Sequence, residues 1–219
     1  NVSNSRYKQQ AAKLAIGYNS KKSVTNFRYN YYSGRIGLPG HTHDSIVDIN
    51  SFITQDQNRG DNVPAQVITN HFFSLEHKVF INKHSFIIAL GNTNNKLKEH
   101  EEKFFFPDIN INLNNSLAQF KWTYQFNDNW NMKLGSQNMA QINKNDPSAP
   151  EVLVQDSKTL DLGGYVILDF KKAKWRAQAG GRYDRRIINV QNGPTFGYNG
   201  LNYAAGFARI GKRSDVRLN

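Results

Sequence analysis

The connections between the strand-like segments of this sequence alternate in length, and this alternation constrains the fold more than any other feature. Segments with a period-two pattern are joined first by a few polar residues and then by a long stretch. In an antiparallel meander every second connection lies at the same end, so one end carries tight turns and the other long loops. Short connections centre on Asn19–Lys22, Asn82–His84, Asn127–Asn129, Lys171–Lys174 and Lys212–Asp215, and the long ones are Ser33–Ala65, Lys98–Asp108, Gln141–Ser157 and Gln191–Gly200. Such asymmetry is typical of an outer-membrane β-barrel.

The segments between these connections alternate as strands do when one face is apolar and the other is wet. In Thr159–Phe170, leucine, valine and phenylalanine share one face, and aspartate and tyrosine share the other, with Ile167 as the exception. Several segments exceed the usual five or six residues of a strand and are long enough to cross a bilayer at a tilt. The predicted strands are Tyr7–Tyr18, Ser23–Tyr32, Gln66–Ile81, Ser85–Leu97, Ile109–Gln125, Trp130–Ala140, Thr159–Phe170, Trp175–Val190, Leu201–Ile210 and Val216–Asn219.

Composition excludes several other classes. A hydrophobic fraction of 38% and a mean hydropathy of −0.65 exclude a helical membrane protein, but a barrel needs lipid-facing residues only at every second strand position. Without cysteine the chain has neither a disulfide nor a thiolate metal site. The net charge of +11 is compatible with nucleic-acid binding, yet the basic residues are scattered over turns and strands rather than clustered, which disfavours it. The prediction is an all-β, antiparallel up-and-down transmembrane β-barrel.

Aromatic residues end several apolar faces close to the short connections. Trp130 and Trp175 lie there, with Phe126 and Phe170 beside them. Rings at that height form the aromatic girdle of outer-membrane barrels. The alternative is a set of cross-strand aromatic pairs in a soluble sandwich. Because the opposite faces carry arginine, lysine and aspartate, we favour the girdle.

Polar groups with possible binding chemistry lie in the long connections. His41 and His43, next to Asp44, could present two imidazoles on one side of an extended loop, so these three residues are candidate ligand-binding residues. A solvated polar loop is the simpler explanation of these residues, and Ser45–Ile53 could form a short helix beside them. Glu99–Glu102 is a second polar run, next to Phe104–Phe106, which we expect to pack against neighbouring loops rather than to bind a partner.

The remaining chemistry is structural. Arg182, Asp184, Arg185 and Arg186 form a dense charged patch for which mutual ion pairing is the default. The sequence contains no serine nucleophile motif, no phosphate-binding loop, no zinc-helix motif and no carboxylate pair suited to acid–base catalysis. We therefore predict that the chain is not an enzyme, and the residues give no reason to expect a cofactor or a bound metal.

The segment Trp175–Arg186, with the sequence WRAQAGGRYDRR, resembles the W-x-x-x-x-G-x-R-Y-D strand of TonB-dependent outer-membrane receptors. Asp161–Phe170 is similar to the strand that precedes it in that family, and Asn202–Phe207 and Asp215–Asn219 resemble the next hairpin. Gly37–Gly40 and Pro64–Gln66 look like the Bacteroidetes-type members. The resemblance covers most of the chain and is strongest over Leu160–Asn219.

The resemblance implies a barrel of about 22 strands, closed by an N-terminal plug that contacts TonB. It further implies that residues 1–219 are a central segment of about nine or ten strands, with the plug and the C-terminal barrel strands outside this chain. The long connections would then be extracellular loops, and the polar face would line the lumen and contact the plug. The residues expected on that face are Lys13, Arg28, Lys121, Arg176, Arg182 and Asp184.

The function expected from this resemblance is TonB-energised uptake of a scarce ligand, such as a siderophore, haem, a vitamin, a peptide or a glycan, at the bacterial outer membrane. Expected partners are membrane lipid and lipopolysaccharide, TonB through the plug, and a surface lipoprotein or larger complex; nucleic acid is not expected. Two alternatives remain open. One is a non-energised barrel acting as a porin, an adhesin or a subunit of a larger complex, and the other is a secreted β-sandwich that binds glycans.

Overall fold

The chain forms a single antiparallel meander. The computed structural model describes residues 4–38, 63–210 and 215–218. Their strands form one sheet in which each strand pairs only with its neighbours in sequence. The strands are β1 (Tyr7–Asn19), β2 (Ser23–Gly37), β3 (Ala65–Ile81), β4 (His84–His100), β5 (Ile109–Gln125), β6 (Trp130–Asn145), β7 (Ser157–Lys172), β8 (Trp175–Val190), β9 (Thr195–Ile210) and β10 (Asp215–Leu218). The predicted all-β, up-and-down architecture is confirmed.

Within the described ranges, no helix has the length and apolar character needed to span a membrane.

Several strands extend further towards the long loops than their hydrophobic patterns predict. β2 ends at Gly37 rather than Tyr32, and β6 ends at Asn145 rather than Ala140. The prediction of a long connection over Gln191–Gly200 is wrong, because β9 begins at Thr195 and leaves a four-residue turn. These extensions carry few apolar residues or, as with Phe196 in β9, place them on the side opposite to the apolar residues of the rest of the strand, so backbone pairing with the neighbouring strand defines them and side-chain periodicity does not.

The register separates the side chains into two faces that are continuous across the sheet. Directly paired residues share a face, so the pairs Leu134–Val166 and Trp130–Phe170 place apolar residues of β6 and β7 together. We call this side the apolar face and the opposite side, which holds Asp161 in β7, the polar face. In β7 the apolar-face side chains are more exposed than their polar-face neighbours, with Leu162 at 44%. This burial pattern is that of a curved sheet with a concave polar side, and it is inverted relative to a soluble protein.

The stagger of the strands matches a tilted barrel wall. One line of paired residues runs across the sheet from Tyr18, next to the last residue of β1, to Leu201, in the middle of β9. The strands therefore shift by about one residue per step, which is the shear that tilts strands in a barrel. The alternative of a β-sandwich is not observed among the described residues, because it requires a second packed layer and the described strands form one sheet.

Aromatic rings mark the short-turn end of the apolar face. The ring centroids of Trp130 and Phe170 are 4.8 Å apart, and those of Trp175 and Phe207 are 5.1 Å apart. Further along the same end, the Trp122 indole N–H donates to His84 Nδ1 at 3.1 Å. These rings pair across neighbouring strands on the apolar face, and the polar group of Trp122 has a partner, as is usual for interfacial aromatics. The predicted girdle position is observed for both tryptophans and for Phe170.

Candidate functional site

Ion pairs cover the polar face of β6–β8. Arg182 Nε donates to both carboxylate oxygens of Asp184, at 2.9 and 2.8 Å, and Arg182 Nη1 donates to Gln137 Oε1 at 2.7 Å. Arg186 Nε donates to Asp161 Oδ1 at 2.7 Å. Because two hydrogen bonds hold each guanidinium against a carboxylate, these side chains have fixed positions. We call this part of the polar face, in β6–β8, the polar wall.

A second cluster of paired charges lies on the same face, nearer the short turns. Lys133 Nζ is 2.7 Å from Asp169 Oδ2, and Gln178 Nε2 donates to the other oxygen of that carboxylate at 2.5 Å. The five carboxylates of strands β1–β9 all lie on the polar face, and they are Glu76, Glu99, Asp161, Asp169 and Asp184. The polar face therefore neutralises much of its own positive charge.

The residues predicted to face a lumen lie on this side. Arg182 and Asp184 are brought together as a pair, whereas Arg28 and Lys121 form no salt bridge with another described residue. Arg176 instead donates to the carbonyl of Trp175 at 3.1 Å. The predicted four-residue charged patch is wrong in one member, because Arg185 pairs with Leu162 and lies on the apolar face. Strand alternation, applied residue by residue, would have separated it.

Glycines give the polar face room for these side chains. A Cβ on Gly163 would lie 2.5 Å from both Arg182 Nη2 and Asp184 Oδ1, so the ion pair lies directly over that glycine. The ring of Tyr165 covers Gly135 in the same way. Two open grooves, of about 840 and 670 Å³, follow this wall, and Gln137 and Arg182 line both of them. The wall is thus shaped to accommodate contacts on its concave side.

The long-loop end is the most buried part of the described structure. The buried hydrophobic residues in the described part of the chain are Ala65, which is 0% exposed, and Ile109, which is 8% exposed. The buried polar residues lie at the same end, and they are His100, Asn110, Asn143 and Asn145. Tight packing therefore holds the loop bases in place, while the strands below have no enclosed core.

The β4–β5 loop is held by its own side chains. The ring of His100 stacks on Phe104 at 5.4 Å, and the Arg35 guanidinium lies 4.4 Å from the centre of that ring. The Glu101 amide donates to Asp108 Oδ2 at 2.7 Å. Phe104 thus packs against strand ends, and Phe105 and Phe106 are 85% and 72% exposed, so the described contacts do not include the expected packing of these phenylalanines against neighbouring loops.

Asparagine side chains hold the β6–β7 loop. Asn145 Nδ2 donates to the carbonyl of Val154 at 2.7 Å and to Asp156 Oδ1 at 2.6 Å. Asn143 Nδ2 donates to the carbonyl of Gln155 at 3.0 Å. Sequence reasoning missed these hydrogen bonds. Their only signal in the sequence is a pair of asparagines, Asn143 and Asn145, spaced two residues apart on one strand. The hydrogen bonds leave Leu153 and its neighbours exposed at the loop tip, with Leu153 at 58%.

Asp146 joins the β6–β7 loop to the start of β5. Its Oδ2 accepts from Asn110 Nδ2 at 2.7 Å, and its Oδ1 accepts from the Ser148 amide at 3.0 Å. The pKa of the Asp146 carboxyl is lowered first by the Ser148 amide and then by the Ser148 hydroxyl, against a smaller desolvation effect. The charges of Lys96 and Lys98 lower it further.

The two loops are also connected to each other. The Glu151 amide donates to the carbonyl of Asp108 at 3.0 Å, and Ile109 forms a parallel bridge with Glu151. The Asp146 amide donates to the carbonyl of Asn110 at 2.8 Å. Since backbone bonds between loops resist displacement, loops β4–β5 and β6–β7 form one ordered platform.

The remaining candidate residues lie elsewhere. His41, His43 and Asp44, and the predicted helix Ser45–Ile53, lie outside the described residues. In the part of the chain that the structure describes, no group of three or more histidine, aspartate or glutamate side chains could hold a metal ion. The polar wall offers hydrogen-bond donors and charges, and the platform offers exposed apolar side chains such as Phe105 and Leu153. Such groups suit binding.

Comparison of this architecture with known proteins identifies similar folds. The sequence matches no family model and no curated protein. Among solved structures, it is similar to the FrpB iron transporter of Neisseria meningitidis, with a TM-score of 0.70 and 13% identity over 97% of this chain and 35% of that one. It is also similar to the alcaligin outer-membrane receptor FauA of Bordetella pertussis, with a TM-score of 0.67 and 12% identity over 93% of this chain and 33% of that one.

A third neighbour is the ferric citrate transporter FecA, with a TM-score of 0.66 and 15% identity over 99% of this chain and 36% of that one. The fold is that of an outer-membrane receptor barrel. This receptor-barrel fold extends over almost the whole chain, and the chain spans about a third of the length of the structures it matches. At these identities the likeness establishes the fold and leaves activity and ligand to be argued from the chain itself.

Proposed function

We propose that this chain forms part of the barrel wall of a TonB-energised outer-membrane receptor that imports a scarce ligand. The observation that carries the proposal is the inverted sheet, whose apolar side chains are exposed while its charged side chains line the concave face. This arrangement is stable only where lipid covers the outside and polar groups fill the inside. The receptor-barrel neighbours support the same orientation.

In this proposal the wall is completed by further strands and by a plug domain encoded outside residues 1–219. The polar face would contact the plug. Arg28 and Lys121, which form no salt bridge with another described residue, would be available to its acidic groups, and Arg176, Arg182 and Asp184 would be further contacts. The tied β4–β5 and β6–β7 loops would form part of the outer ligand-capture surface. His41, His43 and Asp44 remain candidate ligand contacts. The function would be binding followed by plug rearrangement, without a catalytic step.

The decisive experiment compares two deletions in the native host. One removes the gene that encodes this chain and the other removes TonB. We expect both strains to lose growth on the same limiting nutrient, and a panel of ferric siderophores, haem, vitamins, peptides and glycans identifies it. Loss in the gene deletion alone would favour the non-energised barrel. Normal growth of the gene-deleted strain on every nutrient tested would overturn the import proposal.

A further inference from the structure

A group of uncharged polar side chains interrupts the apolar face. They lie on three neighbouring strands, where Asn92 of β4 is paired with Ser116 of β5, and Asn138 of β6 is paired with Ala118 of β5. We call this group the amide patch, and its members are Asn92, Asn114, Ser116, Ser136 and Asn138. Strand residues that face lipid are normally apolar, so the amide patch marks a part of the wall that something other than lipid covers.

The amide patch lies within the apolar band and not at its border. On β6, Asn138 lies between Leu134 and Ile142, which are 44% and 47% exposed on the same face. On β7, Leu162 is paired with Asn138, and Leu160, which is 41% exposed, lies further towards the long loops. Because apolar side chains continue beyond the patch towards the loops, the patch is at the depth of the lipid hydrocarbon and not at the depth of the headgroups.

The amide patch satisfies only part of its own hydrogen-bonding capacity. Asn92 Nδ2 donates to Asn114 Oδ1 at 3.1 Å and to Ser116 Oγ at 2.9 Å. Asn138 Nδ2 donates to Ser136 Oγ at 3.5 Å. Among the described residues, no hydrogen bond reaches the side-chain oxygens of Asn92 and Asn138. Hydrocarbon offers neither donors nor acceptors, so these groups are costly at that depth unless a partner molecule supplies them.

The chemistry of the amide patch fits a second copy of the same patch. No patch residue carries a charge, and a primary amide has both an acceptor oxygen and N–H donors, so two asparagines can pair with each other. Two copies in one membrane are related by a two-fold axis along the membrane normal, which brings each patch against the same residues of the other. The exposed alanines within and beside the patch, Ala118 and Ala140, allow the two walls to approach closely.

We propose that the amide patch is the contact surface of a homodimer, in which two copies of the barrel lie side by side in the outer membrane. The proposal rests on the proposed outer-membrane location, since the patch is at the depth of hydrocarbon only if the apolar face contacts lipid. At the contact, Asn92 and Asn138 of each copy would exchange hydrogen bonds with the patch of the other. The apolar side chains that flank the patch, such as Leu134 and Leu162, would pack around these bonds and exclude lipid.

The first test is oxidative crosslinking of the full-length protein in isolated outer membranes, with copper phenanthroline as the oxidant. Residues 1–219 contain no cysteine, so Ala118→Cys and Ala140→Cys each introduce a single thiol into this wall, at the amide patch. Ala179→Cys is the matched control, because Ala179 is also an exposed alanine of the apolar face but lies on β8. A disulfide needs Cα atoms within about 7 Å, so at least one patch variant should form a linked dimer at least about tenfold faster than the control.

A second test removes the amides and measures the mass of the native assembly in detergent without a crosslinker. The variant is N92L/N138L, and the control is N189L, which changes an exposed asparagine of the same face on β8. One hydrogen bond between proteins in a bilayer contributes at least about threefold to association, and a two-fold contact contains each bond twice, so the dissociation constant of the dimer should rise at least about tenfold. The control should leave it unchanged. If N92L/N138L does not insert, N138L is measured by the same criteria.

A linked product or a native assembly with twice the mass of the receptor supports the dimer. A monomeric mass together with no crosslinking of either patch variant would overturn it. A product that contains a different protein would also overturn it, because the patch would then bind another membrane protein. Fractionation of the same cells separates the two proposals. Absence of the protein from the outer membrane would contradict the proposed location, whereas correct insertion as a monomer would contradict the dimer alone and leave the proposed import function standing.

Discussion

Arg182 Nη2 lies 2.7 Å from Asp184 Oδ1, two residues further along the same strand, and the pair lies over Gly163 of the neighbouring strand. An ion pair between residues i and i+2 of a strand needs free space on the same face of the neighbouring strand, where Gly163 is paired directly with Asp184. The missing side chain of Gly163 supplies that space. This contact links a local charge pattern to a backbone position that only the register brings beneath it.

Replacing Gly163 with alanine is expected to displace the Arg182–Asp184 pair. The added Cβ would lie 2.5 Å from both charged groups, so the free energy of unfolding should fall by about 1 kcal/mol. Chemical unfolding of the full-length protein in detergent measures this. Gly164→Ala is the matched control, because its Cβ would meet nothing within 4 Å. In an Asp184→Ala background the difference between the two glycine variants should shrink, and an unchanged difference would show that the pair is not its cause.

Adjacent residues Val166 and Ile167 test the orientation of the sheet. Val166 lies on the apolar face and is 40% exposed, while Ile167 lies on the polar face and lines a groove. Val166→Arg should cost about 2–4 kcal/mol, because it places a charge against hydrocarbon, and it should reduce assembly in the outer membrane. Ile167→Arg should be tolerated, since its face is wet. Equal losses for both variants, measured by membrane fractionation and unfolding, would contradict the proposed lipid contact.

Phe104 is expected to hold the β4–β5 loop closed. Phe104→Ala removes the stack with His100 and the contact with Arg35, and a cation–π contact contributes about 1 kcal/mol. The loop should open more often, so trypsin cleavage after Lys103 should accelerate about fivefold. Phe105→Ala removes a ring that is 85% exposed and should leave the cleavage rate unchanged. Similar rates for both variants would mean that the packing of Phe104 does not order the loop.

The β6–β7 loop should loosen in acid. The pKa of Asp146 is lowered in the folded protein, so its contribution is present above the unfolded value of about 3.9 and is lost as pH falls through the lower folded pKa. At pH 6 the Asp146→Asn variant should therefore exchange amide hydrogens faster than the unaltered protein around Ser148. The difference should disappear once the pH has fallen below the lowered pKa of Asp146 in the folded protein. Comparison of both proteins at each pH cancels the intrinsic pH dependence of exchange, and a constant difference would contradict this role.

Much of the fold could be predicted from the residues. The alternation around Val166 and Leu168 assigns each side chain to a face, because side-chain direction along a strand is a local property with a period of two. The tight turns and the loops at opposite ends follow from connection lengths, and the aromatic positions of Trp130 and Trp175 follow from their place beside the turns. The same alternation, read strictly, would have moved Arg185 out of the predicted charged patch.

The strand ends and the loop contacts could not be predicted in this way. Near the long loops the hydrophobic alternation breaks down, because Lys144 takes an apolar-face position in β6 and Phe196 lies on the polar face in β9, so no hydrophobic period shows that β6 continues to Asn145 or that β9 begins at Thr195. Pairing with a distant segment decides those ends. The bond from the Glu151 amide to the Asp108 carbonyl and the space that Gly163 leaves for Arg182 depend in the same way on register. The sequence by itself determined the two faces and the two ends of this sheet, and only the tertiary structure decided which residues meet across it, because cross-strand register is set by backbone pairing between segments far apart in the chain.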